Sequence, residues 1–197
     1  MEKAKYSAFD LFGYALPGVY FLFGLFVIFN QNIKTLYDIP LSLQNFDLIQ
    51  AIAALIIGYI MGFTFYRLGI VLRRIFGYRF WRDKKKFELT ISETEKLILV
   101  REFCQENFKY IQTWFLISGM SANLALGSIL LALASIVKMI QFEKHWVILL
   151  VVSIIMAFFQ IEKSTMYIKW ARRELNQAII TFNLQEKTLP TENQIMN

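Results

Sequence analysis

The stretch from Leu48 to Tyr66, LIQAIAALIIGYIMGFTFY, carries no formal charge over 19 residues. As a helix it covers ~28 Å, close to the ~30 Å of a bilayer's hydrocarbon core. Three further apolar stretches accompany it: Phe9 to Asn32, Trp114 to Val137, and Trp146 to Ile161. The last is short, but it crosses if Glu162 and Lys163 extend to the interface and the helix runs on past them. Charged residues make up 18% of the chain, against roughly 25% in a soluble domain, and they cluster between the apolar stretches. The fold class this predicts is all-α: a polytopic membrane protein of four transmembrane helices with helical cytosolic extensions.

The first span admits two forms. Ser7 and Asp10 have capping-box spacing, while Pro17–Gly18 interrupts the apolar run. Either a kinked helix starts near Phe9, or a short one starts at Pro17 behind a half-buried preface. Lys3 and Lys5 before an apolar run superficially resemble a signal peptide, but the run lacks a small-x-small site at its end, so it is read as a retained span. Trp146 at one end of the fourth span, and Tyr167 with Trp170 at the other, read as aromatic anchors.

Orientation follows from Lys and Arg. Two lie in the N-terminal tail, eleven between Arg67 and Lys109, and five from Lys163 to Lys187. The other two connections hold only Lys34, Lys138 and Lys144. The positive-inside rule then puts both termini and the middle region in the cytoplasm of a cell with this protein in its inner membrane. The expected divisions are 1–66 (tail and first two spans), 67–113 (basic cytosolic helical region), 114–161 (third and fourth spans) and 162–197 (exit helix and tail).

The cytosolic part reads as helical. Ser92 followed by Glu95 is a capping box, which predicts a helix starting at Glu93. Leu97, Val100, Cys104, Phe108, Ile111 and Phe115 recur at helical spacing with no Gly or Pro until Gly119, so one helix is expected from Glu93 through the third span. Tyr167, Ala171, Leu175, Ala178 and Phe182 form a second stripe. The two stripes either pack on each other or the second lies on the bilayer. Arg73, Arg74, Arg79, Arg82, Lys84, Lys85 and Lys86 form a basic inner surface facing an anionic leaflet. Without a nucleic-acid module beside it, this run speaks against a nucleic-acid partner.

Inside lipid, helices associate through small residues and occasional polar contacts. Ala54, Gly58 and Gly62 in the second span, and Gly119, Ala122 and Gly127 in the third, are the candidate packing or oligomer contacts. The third helix carries small residues on several faces, which suits more than one neighbour. Asn123 and Glu162 are the intramembrane polar candidates. Asn123 either bonds across to Gln50, Tyr59 or a backbone carbonyl, or it is a pore-lining or state-sensing group. Glu162 suits an interfacial ion pair with Arg67 or Lys109.

No enzyme is expected, and no cofactor or metal. His145 is the only histidine and lies far in sequence from Cys104, the only cysteine, and there is no glycine-rich phosphate loop. Glu102 and Glu106, with Arg101 and Lys109 nearby, read as a solvated surface.

The opening FDLFGYALPG (Phe9 to Gly18), the basic connection and the exit helix RRELN (Arg172 to Asn176) carry a resemblance. The chain resembles small four-span membrane proteins of prokaryotic anti-phage defence, such as the membrane subunit of the Kiwa system or the membrane accessory proteins of type VI CRISPR loci. The resemblance implies a non-enzymatic membrane sensor that forms a homo-oligomer and engages a soluble cytosolic effector. An oligomeric channel that disrupts the membrane potential and a membrane scaffold are the alternatives.

Overall fold

The structure, a computed structural model, describes residues 2–44, 46–80, 91–142 and 144–186, with side chains over 13–44, 46–77, 91–142 and 144–185. Six α-helices follow one another: α1 (Glu2–Phe29), α2 (Asp38–Leu43), α3 (Leu48–Phe80), α4 (Glu93–Phe103), α5 (Gln105–Gln141) and α6 (Val147–Thr181). Short 3₁₀ turns occupy Lys144–Trp146 and Leu184–Glu186. No strand occurs among the described residues. Leu48–Gly77, Gln105–Gln141 and Lys144–Thr181 are long and apolar enough to cross a membrane, and a shorter apolar helix covers Gly13–Phe29.

The chain forms two compact units. Met1–Trp81 with Leu116–Thr165 makes the first, and Arg82–Phe115 with Met166–Asn197 the second. The divisions expected at residues 66, 113 and 161 therefore fall inside α3, α5 and α6.

In the first unit α1 is one helix from Glu2 to Phe29 with Pro17 inside it, so Ser7 and Asp10 lie within the helix and not at its start. Helix α3 starts with a reciprocal cap: the Gln50 amide N–H donates to Asp47 Oδ1 (2.7 Å), and the Asp47 N–H to Gln50 Oε1 (3.2 Å). Gln50 thus serves the helix end and is no partner for Asn123. Helix α5 is the central element: 56% of its apolar window is buried, against 11% in α3 and 17% in α6. Those two helices present Ile52, Ile56, Ile60 and Phe63, and Ile148, Val151, Ile154, Ile155 and Phe158, outward. Outward-facing large apolar side chains suit a lipid solvent, where no polar coat is required.

Helices α1 and α3 meet backbone to backbone. A Cβ added at Gly18 would overlap the Gly58 carbonyl oxygen, and one at Gly62 would overlap the Tyr14 carbonyl. Helix α5 receives the others on its small residues: Tyr66 of α3 lies over Gly119, and Tyr20 of α1 over Gly127.

A loop-side cluster closes the other end of this unit. Val27, Ile33, Leu131, Ala134 and Trp146 are all buried. The Trp146 indole N–H donates to the Lys34 carbonyl (2.9 Å), and the Lys138 ammonium to the Asn30 carbonyl (2.8 Å). Trp146 is therefore a fully buried pin for the α1–α2 loop, not the interfacial anchor its position suggested. Asp38 accepts backbone N–H bonds from Thr35 (2.7 Å) and Lys34 (2.9 Å). These bonds hold its carboxyl below the usual carboxylate range.

The second unit has a core of buried aliphatic side chains. Leu99, Val100, Ile111, Ala171, Leu175, Ala178, Ile179 and Leu184 are buried together, with Leu97, Cys104, Phe108 and Phe115 packed against them. The two stripes do face each other, except that Phe182 is exposed. The predicted capping box is formed: Ser92 Oγ accepts from the Glu95 N–H (3.2 Å), and Glu95 Oε2 from the Ser92 N–H (2.9 Å). The expected single helix from Glu93 does not form. It breaks at Cys104 (φ −142°, ψ 61°), and α5 starts anew at Gln105. Spacing alone is blind to this break, because the Cys104 N–H still bonds the Val100 carbonyl (2.8 Å) and its own carbonyl accepts from Phe108 (2.9 Å). The break lets α4 place Lys96 on Asn176 (2.9 Å) and Glu93 on Arg172 (2.9 Å), both on α6.

Candidate functional site

The buried polar groups of the first unit lie mainly on α5. Asn123 donates its Nδ2–H to the Gly62 carbonyl (3.1 Å), which answers where a buried amide in α5 finds a partner. Its Oδ1 sits against Gly69 without a hydrogen-bond partner among the described atoms. Glycine at 69 is what makes room, since a Cβ there would press on Asn123 Oδ1 and on the Ala122 backbone.

One helical turn away, Ser118 and Ser164 form a reciprocal pair between α5 and α6. Ser118 Oγ donates to the Ser164 carbonyl (2.8 Å) and Ser164 Oγ to the Ser118 carbonyl (2.6 Å). Arg73 of α3 adds its Nη1–H to Ser118 Oγ at 2.6 Å. Further along α5, Ser128 Oγ bonds the Tyr20 hydroxyl (3.3 Å).

The expected basic surface therefore divides. Arg73 is half-buried and turned toward α5, whereas Arg74 is exposed. Successive residues of a helix point about 100° apart, so adjacent arginines naturally serve opposite sides. The Arg79 side chain, Arg82, Lys84, Lys85 and Lys86 lie outside the described residues. Gly58, Gly62, Gly119 and Gly127 sit at the helix contacts already described, Ala122 is buried beside Gly69, and Ala54 is half-buried on α3. Glu162 is half-buried on α6.

In the second unit Trp114, Tyr167 and Trp170 form an aromatic cluster. Trp114 stacks on Tyr167 (centroids 5.4 Å, 20°) and meets Trp170 edge-on (5.1 Å, 86°). Beside this core a surface groove of about 240 Å³ is lined by Thr94, Leu97, Ile98, Arg101, Phe108, Gln112 and Phe115. Four of these seven are apolar, and the rim is polar. Arg101 is bound to Glu102 through Nε (3.1 Å) and Nη2 (3.0 Å). Among the described residues no group of three or more His, Cys, Asp or Glu gathers as a metal ligand set.

Sequence reading missed the Ser118–Ser164 pair, the inward turn of Arg73 and the groove. The second of these had a usable signal. Tyr66, Gly69, Arg73 and Gly77 recur at three- and four-residue spacing, which places Arg73 on the glycine side of α3. The groove had none, because it depends on the break at Cys104.

No protein-family model matches the chain, and no curated protein or solved structure is detectably similar to it.

Proposed function

We propose that the protein is a non-enzymatic, four-span component of a cell inner membrane that couples membrane state to a soluble cytosolic effector through its second unit. The observation that carries this reading is the continuity of α5 and α6. Each is a single helix that contributes to both units, running from a span-length apolar segment into the core around Ile111 and Leu175. An unbroken helix transmits a tilt or rotation along its length, whereas a loop would absorb it. Helix α1, apolar from Gly13 to Phe29 and joined to α3 through glycines, supplies the fourth crossing. The excess of Lys and Arg between residues 67 and 109 favours the cytoplasm for the second unit. The resemblance read from the sequence, whose motif-like part is FDLFGYALPG, makes infection the proposed stimulus, with the groove along Leu97, Ile98 and Phe108 as the effector surface.

The orientation is tested with Glu102→Cys in a Cys104→Ser background, using a membrane-impermeant maleimide. Labelling is expected only after the inner membrane is permeabilised; labelling of intact spheroplasts would overturn it. The coupling is tested in a host carrying the surrounding genes. Ile98→Glu is expected to abolish protection against phage while leaving the protein in the membrane fraction. Undiminished protection would remove the groove, and with it the effector reading.

A further inference from the structure

Arg67 and Arg74 are seven residues apart on α3, which brings them to nearly the same angular position, roughly 10 Å apart along the axis. Both are exposed. Val71 lies between them at 48% exposure, Leu68 and Ile75 flank them at 51% and 60%, and Ile60 and Phe63 continue the face at 58% and 64%. The opposite face of the same helix is committed: Gly62, Tyr66, Gly69, Arg73 and Gly77 all contact α5 or α6. Neither Arg67 nor Arg74 is ion-paired to another described residue.

Depth decides what this face meets, given the spanning role of α3 proposed above. Starting at the capped end at Leu48, ~30 Å of hydrocarbon uses about 20 residues and ends at Arg67. The headgroup layer adds roughly 5–7 Å on that side. Arg67 then stands at the inner edge of the hydrocarbon and Arg74 just past the phosphates, so the two guanidiniums bracket the phosphate plane. Ile60 and Phe63 line the acyl region directly above them.

We propose that this face of α3 is a binding site for one anionic phospholipid. Arg67 and Arg74 hold its phosphate, and Ile60 and Phe63 carry an acyl chain. Guanidinium suits the role because its planar fork of N–H donors matches phosphate oxygens, and the arginine stems extend over apolar surface. Arg73 takes no part, since it is turned to Ser118.

Native mass spectrometry of the full-length protein, released from vesicles of phosphatidylglycerol and phosphatidylcholine, tests the site. Wild type is expected to retain phosphatidylglycerol in preference. Arg67→Gln/Arg74→Gln should lose that adduct about thirty-fold, the ratio that corresponds to ~1 kcal/mol for each basic group near the lipid surface. Lys34→Gln/Lys144→Gln removes the same charge at two exposed positions elsewhere and should leave it unchanged. Equal retention by all three proteins, equal retention of the two lipids, or displacement of the lipid by inorganic phosphate would each overturn the proposal. If the double variant does not fold, each single variant should still lower retention about five-fold, and no loss from either overturns the site. Extraction of wild type by alkaline carbonate would instead remove the spanning role of α3, a failure separate from that of the lipid site.

Discussion

The two units reach their packing by opposite means. In the first unit, contact is made through what is missing: Gly18, Gly58, Gly62, Gly69 and Gly119 leave space that a neighbouring backbone, amide or ring fills. The second unit is filled by what is present, with Leu99, Ile111, Leu175, Ile179 and Leu184 interlocked in its core. The polar groups differ in the same way. Those of the first unit are turned inward, as at Ser118, Asn123, Ser128 and Ser164, while in the second the Arg172–Glu93 and Arg101–Glu102 pairs lie at the surface and Lys96 is buried on Asn176. The contrast is what the two proposed surroundings, lipid for the first unit and water for the second, demand. Lipid gives no reward for burying leucine, so close approach and internal hydrogen bonds hold helices together. Water drives apolar side chains inward and tolerates charge outside.

Five substitutions break or sharpen this contrast. The largest effect is expected at Gly62→Leu, because the new side chain meets the Tyr14 backbone, which cannot move aside as a flexible side chain would. A loss of about 3 kcal/mol or more is expected, read as collapse of the monodisperse peak on gel filtration in detergent. A normal profile would mean that α1 and α3 are not so closely joined. Leu175→Ala should cost roughly 2–5 kcal/mol by leaving a cavity in the second core. Limited proteolysis should then cut α4 and the end of α6 first, sparing α3. Equal sensitivity throughout would show that the two cores melt as one.

Ser92→Ala removes the side-chain acceptor at the start of α4 and should cost ~1 kcal/mol, measured by hydrogen exchange at the amides of Glu93 to Lys96. Its partner adds a pH dependence. The Ser92 backbone N–H donates to the Glu95 carboxylate and holds it below the ordinary glutamate range. A depressed acid stabilises the folded state above its unfolded pKa and loses that contribution as the pH falls through the folded value. Protection of these amides should accordingly weaken as the pH drops below ~4.3, and Glu95→Gln should flatten the dependence. A wild-type profile that is already flat would sever the two halves of the cap.

The smallest effect is expected at Asn123→Leu. A single interhelical hydrogen bond in a membrane protein contributes ~0.6 kcal/mol on average. The bond lost is one to a carbonyl of α3, and the unpartnered Oδ1 goes with it. Near-unchanged stability and near-unchanged activity are expected. A large loss of activity alone would give the amide a role beyond packing.

Much of this architecture could be read from residue order, and the reasons differ by element. The apolar runs of α3, α5 and α6 announce themselves because lipid-length segments need no outside information. The cap at Ser92 was legible because both of its bonds are local in sequence. The break at Cys104 was not, since the residue is neither Gly nor Pro and its hydrogen bonds remain helical on both sides. Trp146 looked like an anchor because its partner, the Lys34 carbonyl, is 112 residues away in sequence. For the candidate site, Gly58 and Gly62 were visible as small residues, but nothing in the sequence told which helix would approach them. Arg73 was grouped with Arg74 because charge counts ignore direction, while the helical period separates them.

The α1–α3 glycine contact also bears on how the chain is made. Gly18, Gly58 and Gly62 all precede α4, so both partners of the closest helix contact leave the ribosome before any residue of α5. With α1 as the proposed fourth crossing, the first two long helices pair in the membrane as a finished template. The polar side chains of α5 then arrive at a wall whose exposed carbonyl, at Gly62, already waits for Asn123. A truncation ending near residue 81 should reach the bilayer as a protease-protected hairpin, and a leucine at position 18 or 62 should block assembly at that early stage.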